Sequence, residues 1–388
     1  MPTRIQLFLL FLRLGLSSFG GPIAHLGYFR RAFVERRHWL TDEEYADLVA
    51  LCQFLPGPAS SQVGMAIGYR FHGVPGGLLA WLGFTLPSAI VMLAAGYLLI
   101  GHPHWAQSGV VQGLKIAAVA IVLQAVLSMW RSLCTTSARK VIAIAVATLM
   151  LMFPTPVAQL AVLASFALLG WLSANRRGEP ETWTMEPVDH SRSDFPFLQL
   201  FVALLILLTT LGSQLQELPV QIADGFYRTG ALVFGGGHVV LPLLQHVTEG
   251  WIDSDRFLAG YGLAQALPGP LFALAAYLGV AAGGKLWVGV LALIAIFLPS
   301  FLLVCGALPY WQRLRRNARM RNALNVVNAA VVGLLIAAWI NPVVSSGVPG
   351  AAHAVVAVFA FLLLQWRRMP PIIVVALCAL VGRQFLGA

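Results

Sequence analysis

The stretch Gln53-Phe-Leu-Pro-Gly-Pro-Ala59 decides the fold, and it returns with the same Gln, Leu and Pro-Gly-Pro as Gln265-Ala-Leu-Pro-Gly-Pro-Leu271. A Pro-Gly-Pro segment cannot continue a helix, because proline lacks an N–H and the residue before a proline is pushed out of helical backbone angles. Both copies lie between long apolar segments, so we expect the breaks to lie inside a membrane. Irregular backbone at that depth is tolerated only where protein buries it or where it lines a polar cavity. The two breaks are therefore the first candidates for a functional site.

Composition places the chain in the lipid bilayer. Of its 388 residues, 59% are hydrophobic and 10% are charged, whereas a soluble domain usually carries about 25% charged residues. Apolar runs of roughly 20 residues, the length that a helix needs to cross a bilayer, recur along the whole sequence. We predict an all-α polytopic membrane protein.

Charge and cysteine content exclude several other classes of function. The net charge of +10 comes from Arg and Lys in short loops, as in the cytoplasmic loops of membrane proteins, so we predict no nucleic-acid partner. The cysteines are scattered without a Cys-x-x-Cys pair, which argues against a disulfide framework or a zinc site. No nucleotide-binding motif of the Walker type occurs, and we predict no cofactor and no metal.

The chain contains an internal duplication. Phe226-Tyr-Arg-Thr-Gly-Ala-Leu-Val-Phe-Gly-Gly236 matches Phe11-Leu-Arg-Leu-Gly-Leu-Ser-Ser-Phe-Gly-Gly21 at its Phe, Arg and Gly positions. Further pairs are Trp39 with Trp251 and Pro87-Ser88 with Pro299-Ser300. Two halves with interrupted apolar segments at corresponding places are typical of transporters that bind substrate between the halves. The predicted division is a first repeat at 1–173, a hydrophilic linker plus one extra transmembrane span at 174–216, and a second repeat at 217–388.

The loop charges predict that the two repeats are inverted. Loops 131–140 and 313–321 are both basic and belong in the cytoplasm. The first follows the fourth apolar unit of its repeat and the second follows the third, and the extra span at 196–216 supplies the odd crossing that inversion needs. Because loop 30–38 is also basic, we favour re-entrant or half-crossing elements for the first two units of each repeat. The number of crossings stays open between nine and thirteen.

Two arginines inside apolar segments are candidate substrate ligands. A charged residue at the bilayer centre costs at least ~2.5 kcal/mol, so Arg13 and its repeat counterpart Arg228 should face protein or a water-filled cavity. Helical spacing places Arg13, Ser17 and the glycines at 20 and 21 on one face, and a guanidinium fork suits an oxyanion. The alternative for Arg13 is that its side chain reaches the nearby membrane surface.

The helices that follow the two breaks are candidate anion sites. Ser60 and Ser61 fill the first turn after Pro58, and a helix N-terminus inside the membrane attracts anions through its free N–H groups and dipole. The second break leads into apolar residues, so the two sites cannot be equivalent, and a purely structural kink remains the alternative. We predict substrate contacts from Arg13, Ser17, Gly20, Gly21, Gln53, Pro56, Gly57, Pro58, Ser60, Ser61, Arg228, Gly235, Gly236, Gln265, Pro268, Gly269 and Pro270.

Five ionisable residues near these elements are candidates for a proton or charge relay: Glu44, Asp47, Asp224, His25 and His238. For Glu44 and Asp47, at the start of the second unit, a plain interfacial role is the stronger interpretation. Asp224 lies four residues before Arg228, the spacing of a helical ion pair. Lone histidines such as His25 and His238 are more often packed than functional.

These motifs together resemble a known family. Phe19-Gly-Gly-Pro22, Pro56-Gly-Pro58, Phe234-Gly-Gly-Gly-His238 and Pro268-Gly-Pro270 are similar to those of the chromate ion transporter family in its long two-repeat form. The resemblance covers essentially the whole chain. It implies a multi-pass carrier in the bacterial inner membrane that moves a divalent tetrahedral oxyanion, typically exporting chromate, with sulfate as its natural mimic. The residues alone predict only an inverted-repeat transporter that favours anions, and a homodimer stays open.

Three other functions remain open at this point. One is an uptake carrier for sulfate or another anion, and a second is a channel. A third is a membrane enzyme acting on a lipid or phosphate group, which would need a dense cluster of Asp, Glu and His at one membrane face. The sequence contains no such cluster.

Overall fold

The computed structural model describes residues 2–19, 21–101, 108–173, 196–233, 240–311, 318–366 and 369–386, and every regular element within them is a helix. The first half contains α1 Arg4–Ser17, α2 Gly21–Arg30, α3 Asp42–Phe54, α4 Ala59–Gly101, α5 Gly109–Leu133, α6 Ser137–Met152 and α7 Pro156–Leu172. Helix α8, Phe197–Gln214, follows. The second half contains α9 Leu218–Leu232, α10 Val240–Thr248, α11 Ser254–Ala266, α12 Leu274–Gly283, α13 Leu286–Ala307, α14 Ala318–Ala338, α15 Ala351–Gln365 and α16 Pro371–Val381.

Five described segments are long and apolar enough to cross a membrane. They are Ala59–Leu99, Gly109–Leu133, Phe197–Gln214, Leu286–Tyr310 and Arg319–Gly347. The predicted all-α polytopic class is therefore confirmed. Helix α8 lies outside both repeats and is the extra span that the sequence predicts at 196–216.

The first helices of each half are too short to cross a bilayer. Helices α1 and α3 have 14 and 13 residues, and their counterparts α9 and α11 have 15 and 13. At 1.5 Å per residue none exceeds about 23 Å, against a hydrocarbon core of about 30 Å. This agrees with the half-crossing elements that the basic loop at 30–38 favours.

Helix α4 begins at Ala59, directly after the first Pro-Gly-Pro, and contains a second break that the sequence analysis missed. His72 and Gly73 leave helical geometry, with Gly73 at φ 59°. The helix stays continuous through Pro87, because no residue around this proline has non-helical torsions. A glycine at positive φ followed closely by Pro75 turns the chain more sharply than one internal proline does.

Helices of one half pack against helices of the other. Helix α5 of the first half contacts α15 and α16, and α14 of the second half contacts α6 and α7. Small residues permit this close approach, which is how membrane helices associate. A Cβ at Gly113 would lie 2.0 Å from the Cys378 carbonyl oxygen, and one at Gly333 would lie 2.4 Å from the Ala143 carbonyl oxygen. The halves therefore share one core.

Counterpart helices of the two halves run antiparallel. A Cβ at Gly77 of α4 would lie 3.0 Å from the Phe301 ring of α13, and the rings of Trp81 and Phe297 lie 5.8 Å apart. Residue numbers therefore increase along α4 in the direction in which they decrease along α13. Trp339, just after α14, donates a hydrogen bond of 3.1 Å to the Val119 carbonyl of α5. The antiparallel packing of α4 and α13 agrees with the inverted repeats that the loop charges predict.

Candidate functional site

The two Pro-Gly-Pro breaks meet the first helices of the opposite halves through a reciprocal pair of hydrogen bonds. The Gly57 N–H donates to the Val233 carbonyl oxygen at 2.6 Å, and the Gly269 N–H donates to the Ser18 carbonyl oxygen at 3.0 Å. Ser18 and Val233 are corresponding residues at the ends of α1 and α9. The exchange of equivalent bonds shows that an approximate two-fold axis passes between the breaks.

Glycine is required at the centre of both breaks. Gly57 has φ 128° and Gly269 has φ 100°, a region that L side chains rarely adopt. Space is lacking as well, because a Cβ at Gly57 would lie 2.2 Å from the Ser300 Oγ atom and one at Gly269 would lie 3.0 Å from the Ser88 Oγ atom. Each break therefore packs on the Pro-Ser position of the other half.

His25 joins the second break to the start of α4. Its Nε2 atom lies 3.2 Å from the Ser18 carbonyl oxygen, and its Nδ1 atom lies 3.2 Å from the Ser60 Oγ atom. Because a carbonyl can only accept, Nε2 carries the proton and Nδ1 accepts from the Ser60 hydroxyl. His25 is buried. The sequence analysis gave it a packed role as the stronger interpretation, whereas the structure makes it the link between the two breaks.

Buried polar atoms without a partner gather around the start of α4. Ser18, Ser61 and Ser300 are each at most 2% exposed, and none of their hydroxyls has a hydrogen-bond partner within the described part of the chain. The Oε1 atom of Gln62 is also buried without a hydrogen-bond partner within the described residues, while its Nε2 atom donates to the Pro56 carbonyl at 2.6 Å. Buried polar groups normally find partners, and the first N–H groups of α4 lack intrahelical acceptors. The start of α4 therefore brings together several buried polar atoms whose hydrogen bonds are unsatisfied within the described residues.

The second break differs from the first in the segment that follows it. It leads into Leu271, Phe272 and Ala273, all buried. The first break, in contrast, leads into Ser60, Ser61 and Gln62. That the two breaks differ as anion sites stays a prediction.

Arg13 lies away from this centre. Its side chain is exposed and lines a groove with Gln6, Arg37 and Trp39, and the groove contains none of the Pro-Gly-Pro residues. Ser17 is also exposed, and its hydroxyl donates to the Arg13 carbonyl oxygen of its own helix at 2.8 Å. The buried face of α1 carries Phe11, Leu14 and Ser18. That Arg13, Ser17 and the glycines at 20 and 21 present donors to one ligand stays a prediction.

Arg228 lines the counterpart groove in the second half. The residues around it include Gln221 and Trp251, which match Gln6 and Trp39 in the repeat register. The predicted ion pair is present, with 2.7 Å between Arg228 Nη2 and Asp224 Oδ2. The residue in register with Asp224 is Leu9, so the first groove lacks this carboxylate.

The other predicted residues fall into three groups. Pro56, Pro58, Pro268 and Pro270 frame the breaks, whereas Gln53 is exposed and Gln265 is partly buried. Glu44 caps α3 and pairs with Arg70, and Asp47 accepts a 2.9 Å hydrogen bond from the Trp311 indole, so both have structural roles. Gly21 begins α2, while Gly20, Gly235, Gly236 and His238 lie outside the described residues.

Two features of the interior had no clear signal in the sequence. Ser300 follows a proline inside α13. It becomes a candidate site residue only because Gly57 of the other half packs against its hydroxyl. Lys115 lies in an apolar segment, yet it is 2% exposed and pairs with Asp255 of α11 at 2.7 Å. Among the described residues, no group of three or more His, Cys, Asp or Glu side chains could hold a metal ion.

Comparison with known proteins now decides the family. The profile of the family described as Chromate transporter matches residues 5–171 and 220–383. The chain belongs to the chromate transporter family. The two matched regions coincide with the two halves of the structure, and α8 falls between them. Membership makes the molecule a membrane transporter of anions.

Three curated relatives carry related names. A probable chromate transport protein of Synechococcus elongatus is 31% identical over 86% of this chain and 83% of its own length. Chromate transport proteins of Cupriavidus metallidurans and Pseudomonas aeruginosa are each 30% identical, over 98% and 96% of this chain and 92% and 90% of their own lengths. No solved structure matches this transporter at a significant level.

Proposed function

We propose that this transporter exports a divalent tetrahedral oxyanion from the cytoplasm across the bacterial inner membrane, and that the exported ion is chromate, with sulfate as a competing analogue. The observation that carries the proposal is the set of buried, unpartnered hydroxyls of Ser18, Ser61 and Ser300 at the N-terminus of α4. Hydroxyl and N–H donors beside the positive end of a helix dipole stabilise an anion.

The charges around the centre favour an anion over a cation. The carboxylates predicted near it are occupied elsewhere, since Glu44 pairs with Arg70, Asp47 binds Trp311 and Asp224 pairs with Arg228. The names of three relatives support chromate as the anion. Sulfate shares its charge and shape, so a site made of hydroxyls and N–H groups should discriminate only weakly between the two.

The two arginine grooves are the proposed approaches to the centre. Because the halves are inverted, the Arg13 groove and the Arg228 groove open toward opposite membrane faces in this proposal. Alternating access then requires the two halves to rock about the crossing of the breaks. Gly57 and Gly269 hold that crossing together through their bonds to Val233 and Ser18.

Chromate accumulation in cells tests the proposed function. Cells that express the transporter should accumulate less labelled chromate than cells with an empty vector, excess cytoplasmic sulfate should reduce the difference, and collapse of the proton gradient should abolish it. A Ser61→Ala, Ser300→Ala double variant should behave like the empty vector. Ser213→Ala, which removes an exposed hydroxyl of α8, serves as the matched control.

The same assay separates the remaining candidates. Higher accumulation in expressing cells would overturn export and indicate an uptake carrier. Flux that neither saturates nor depends on a gradient would indicate a channel. Unchanged accumulation, together with turnover of lipid or phosphate substrates by the purified protein, would indicate an enzyme.

A further inference from the structure

The groove around Arg228 contains more hydrogen-bond donors than its ion pair uses. Gln159 of α7 is 2% exposed and lines this groove, and its Nε2 atom has no hydrogen-bond partner among the described residues. The Nε atom of Arg228 is buried and also has no hydrogen-bond partner among the described residues. His246 of α10 and Gln221 of α9 line the same space. Donors from three helices and from both halves therefore face one groove.

Asp224 is the acceptor that now pairs with Arg228. Its Oδ2 atom lies 2.7 Å from Arg228 Nη2, and its Oδ1 atom accepts from Thr209 of α8 at 3.2 Å. The carboxylate is 5% exposed. Helix α8 covers it closely, because a Cβ at Gly212 would lie 2.8 Å from Asp224 Oδ2. The helix that belongs to neither repeat thus holds a carboxylate against the arginine of the second repeat.

Within the described residues, the first half has neither this carboxylate nor a helix that covers its arginine groove as α8 covers Asp224. Leu9 stands where Asp224 stands in the second half, and Arg13 shares its groove with a second guanidinium, that of Arg37. The two grooves are matched in backbone and differ in charge. A difference of this kind, placed on one of two symmetry-related arginines, makes the two sides of the transporter unequal toward an anion.

We propose that the groove formed by Gln159, Asp224, Arg228 and His246 is a second oxyanion site, and that the Asp224 carboxylate occupies Arg228 until a tetrahedral dianion displaces it. This site is separate from the centre at the start of α4, and its assignment to transport rests on the proposed function. Gln159 and Arg228 Nε supply the two donors that Asp224 leaves unused. The ligand class is a divalent tetrahedral oxyanion such as sulfate, which accepts from several N–H donors at once.

Equilibrium dialysis of the purified full-length protein in detergent tests the proposal, with labelled sulfate as the probe and chloride at constant ionic strength. The wild type should bind two sulfates per chain. Gly57→Ala, which fills the central site, should bind one, and Gly57→Ala combined with Arg228→Ala should bind none. Where Gly57→Ala fails to fold, Ser61→Ala with Ser300→Ala replaces it.

Two further variants test the role of Asp224. Asp224→Asn in the Gly57→Ala background should lower the dissociation constant for sulfate about fivefold, which is close to the most that a partly exposed ion pair contributes. Arg256→Ala removes an arginine from a comparable helical ion pair, with Asp253, outside the groove, and should leave the bound sulfate unchanged.

The outcomes separate this site from the centre. Loss of all sulfate in Gly57→Ala alone would overturn the second site and leave the centre standing. If Gly57→Ala still bound two sulfates, the start of α4 would not be a sulfate site. The groove would then be tested by whether adding Arg228→Ala removes one of the two. Weaker or unchanged binding in Asp224→Asn would show that the carboxylate does not compete with the anion.

Discussion

At the scale of single residues, the same side chain type has different surroundings in the two halves. Arg13 lies in an exposed groove beside Arg37, and Arg228 lies beside Asp224. The sequence identifies both arginines, because an arginine in an apolar segment is costly and both copies retain it. It does not say what each one faces. The partner of Arg228 lies one turn away and is predictable, whereas the exposure of Arg13 depends on how α1 packs on α4.

Arg13 should bind the anion on its approach. Arg13→Ala should abolish transport while the amount of protein in the membrane stays near that of the wild type, and Arg13→Lys should retain little activity because a point charge replaces a planar fork. Initial rates of chromate efflux, normalised to the membrane abundance of each variant, are the measurement. Arg4→Ala, which removes an exposed arginine from the same helix, is the control and should transport normally. Normal transport by Arg13→Ala would remove this residue from the path.

At the scale of elements, the architecture depends more on where the two Pro-Gly-Pro breaks interrupt the helices than on the long helices themselves. Prolines in the sequence predict where α4 and α12 can begin, and glycine predicts the positive φ at Gly57 and Gly269. The break at His72–Gly73 was missed, because a lone glycine in an apolar run carries little information until its torsions are known. The hydroxyl of Ser300 was also missed, since only the packing of the other half reveals it.

The half-crossing hairpins have a testable topology. Single cysteines are placed in a background from which Cys52, Cys134, Cys305 and Cys378 have been removed, and whole cells are treated with an impermeant thiol reagent. Because the halves are inverted, cysteines in loop 246–255 should be labelled, whereas cysteines in loops 30–38, 131–140 and 313–321 should be shielded. Labelling of the same cysteines in permeabilised cells shows that they are reactive. Equal labelling of loops 30–38 and 246–255 in intact cells would contradict the inversion.

At the scale of the whole molecule, the fold was more predictable than the site. Matching Arg, Gly-Gly and Pro-Gly-Pro positions reveal the duplication, and the charges of two loops reveal its inversion. The antiparallel contacts of Trp81 with Phe297 agree with both. The exchange of helices between the halves, with α5 on α15 and α16 and α14 on α6 and α7, has no local signature. These contacts depend on small residues, such as Gly113 and Gly333, which lie next to their partner helices only in the folded chain.

Side-chain differences explain why only one of the two breaks forms the polar centre. A backbone two-fold brings both breaks together, but the side chains after each break were free to differ, and only the first break carries hydroxyls. In the proposed function, the centre, the two grooves and α8 together form a path with unequal ends. Export in one direction, residence in the inner membrane and the homodimer all stay predictions of this account.

Counterflow in liposomes tests the central claim most directly, namely that the crossing of the two breaks binds and moves an oxyanion. Purified protein is reconstituted into liposomes loaded with unlabelled sulfate, and the entry of labelled chromate is followed over time. The account predicts transient accumulation of chromate above equilibrium by the wild type and by Ser213→Ala, and none by Ser61→Ala with Ser300→Ala. Accumulation by that double variant at the wild-type rate, or no counterflow by the wild type, would contradict it.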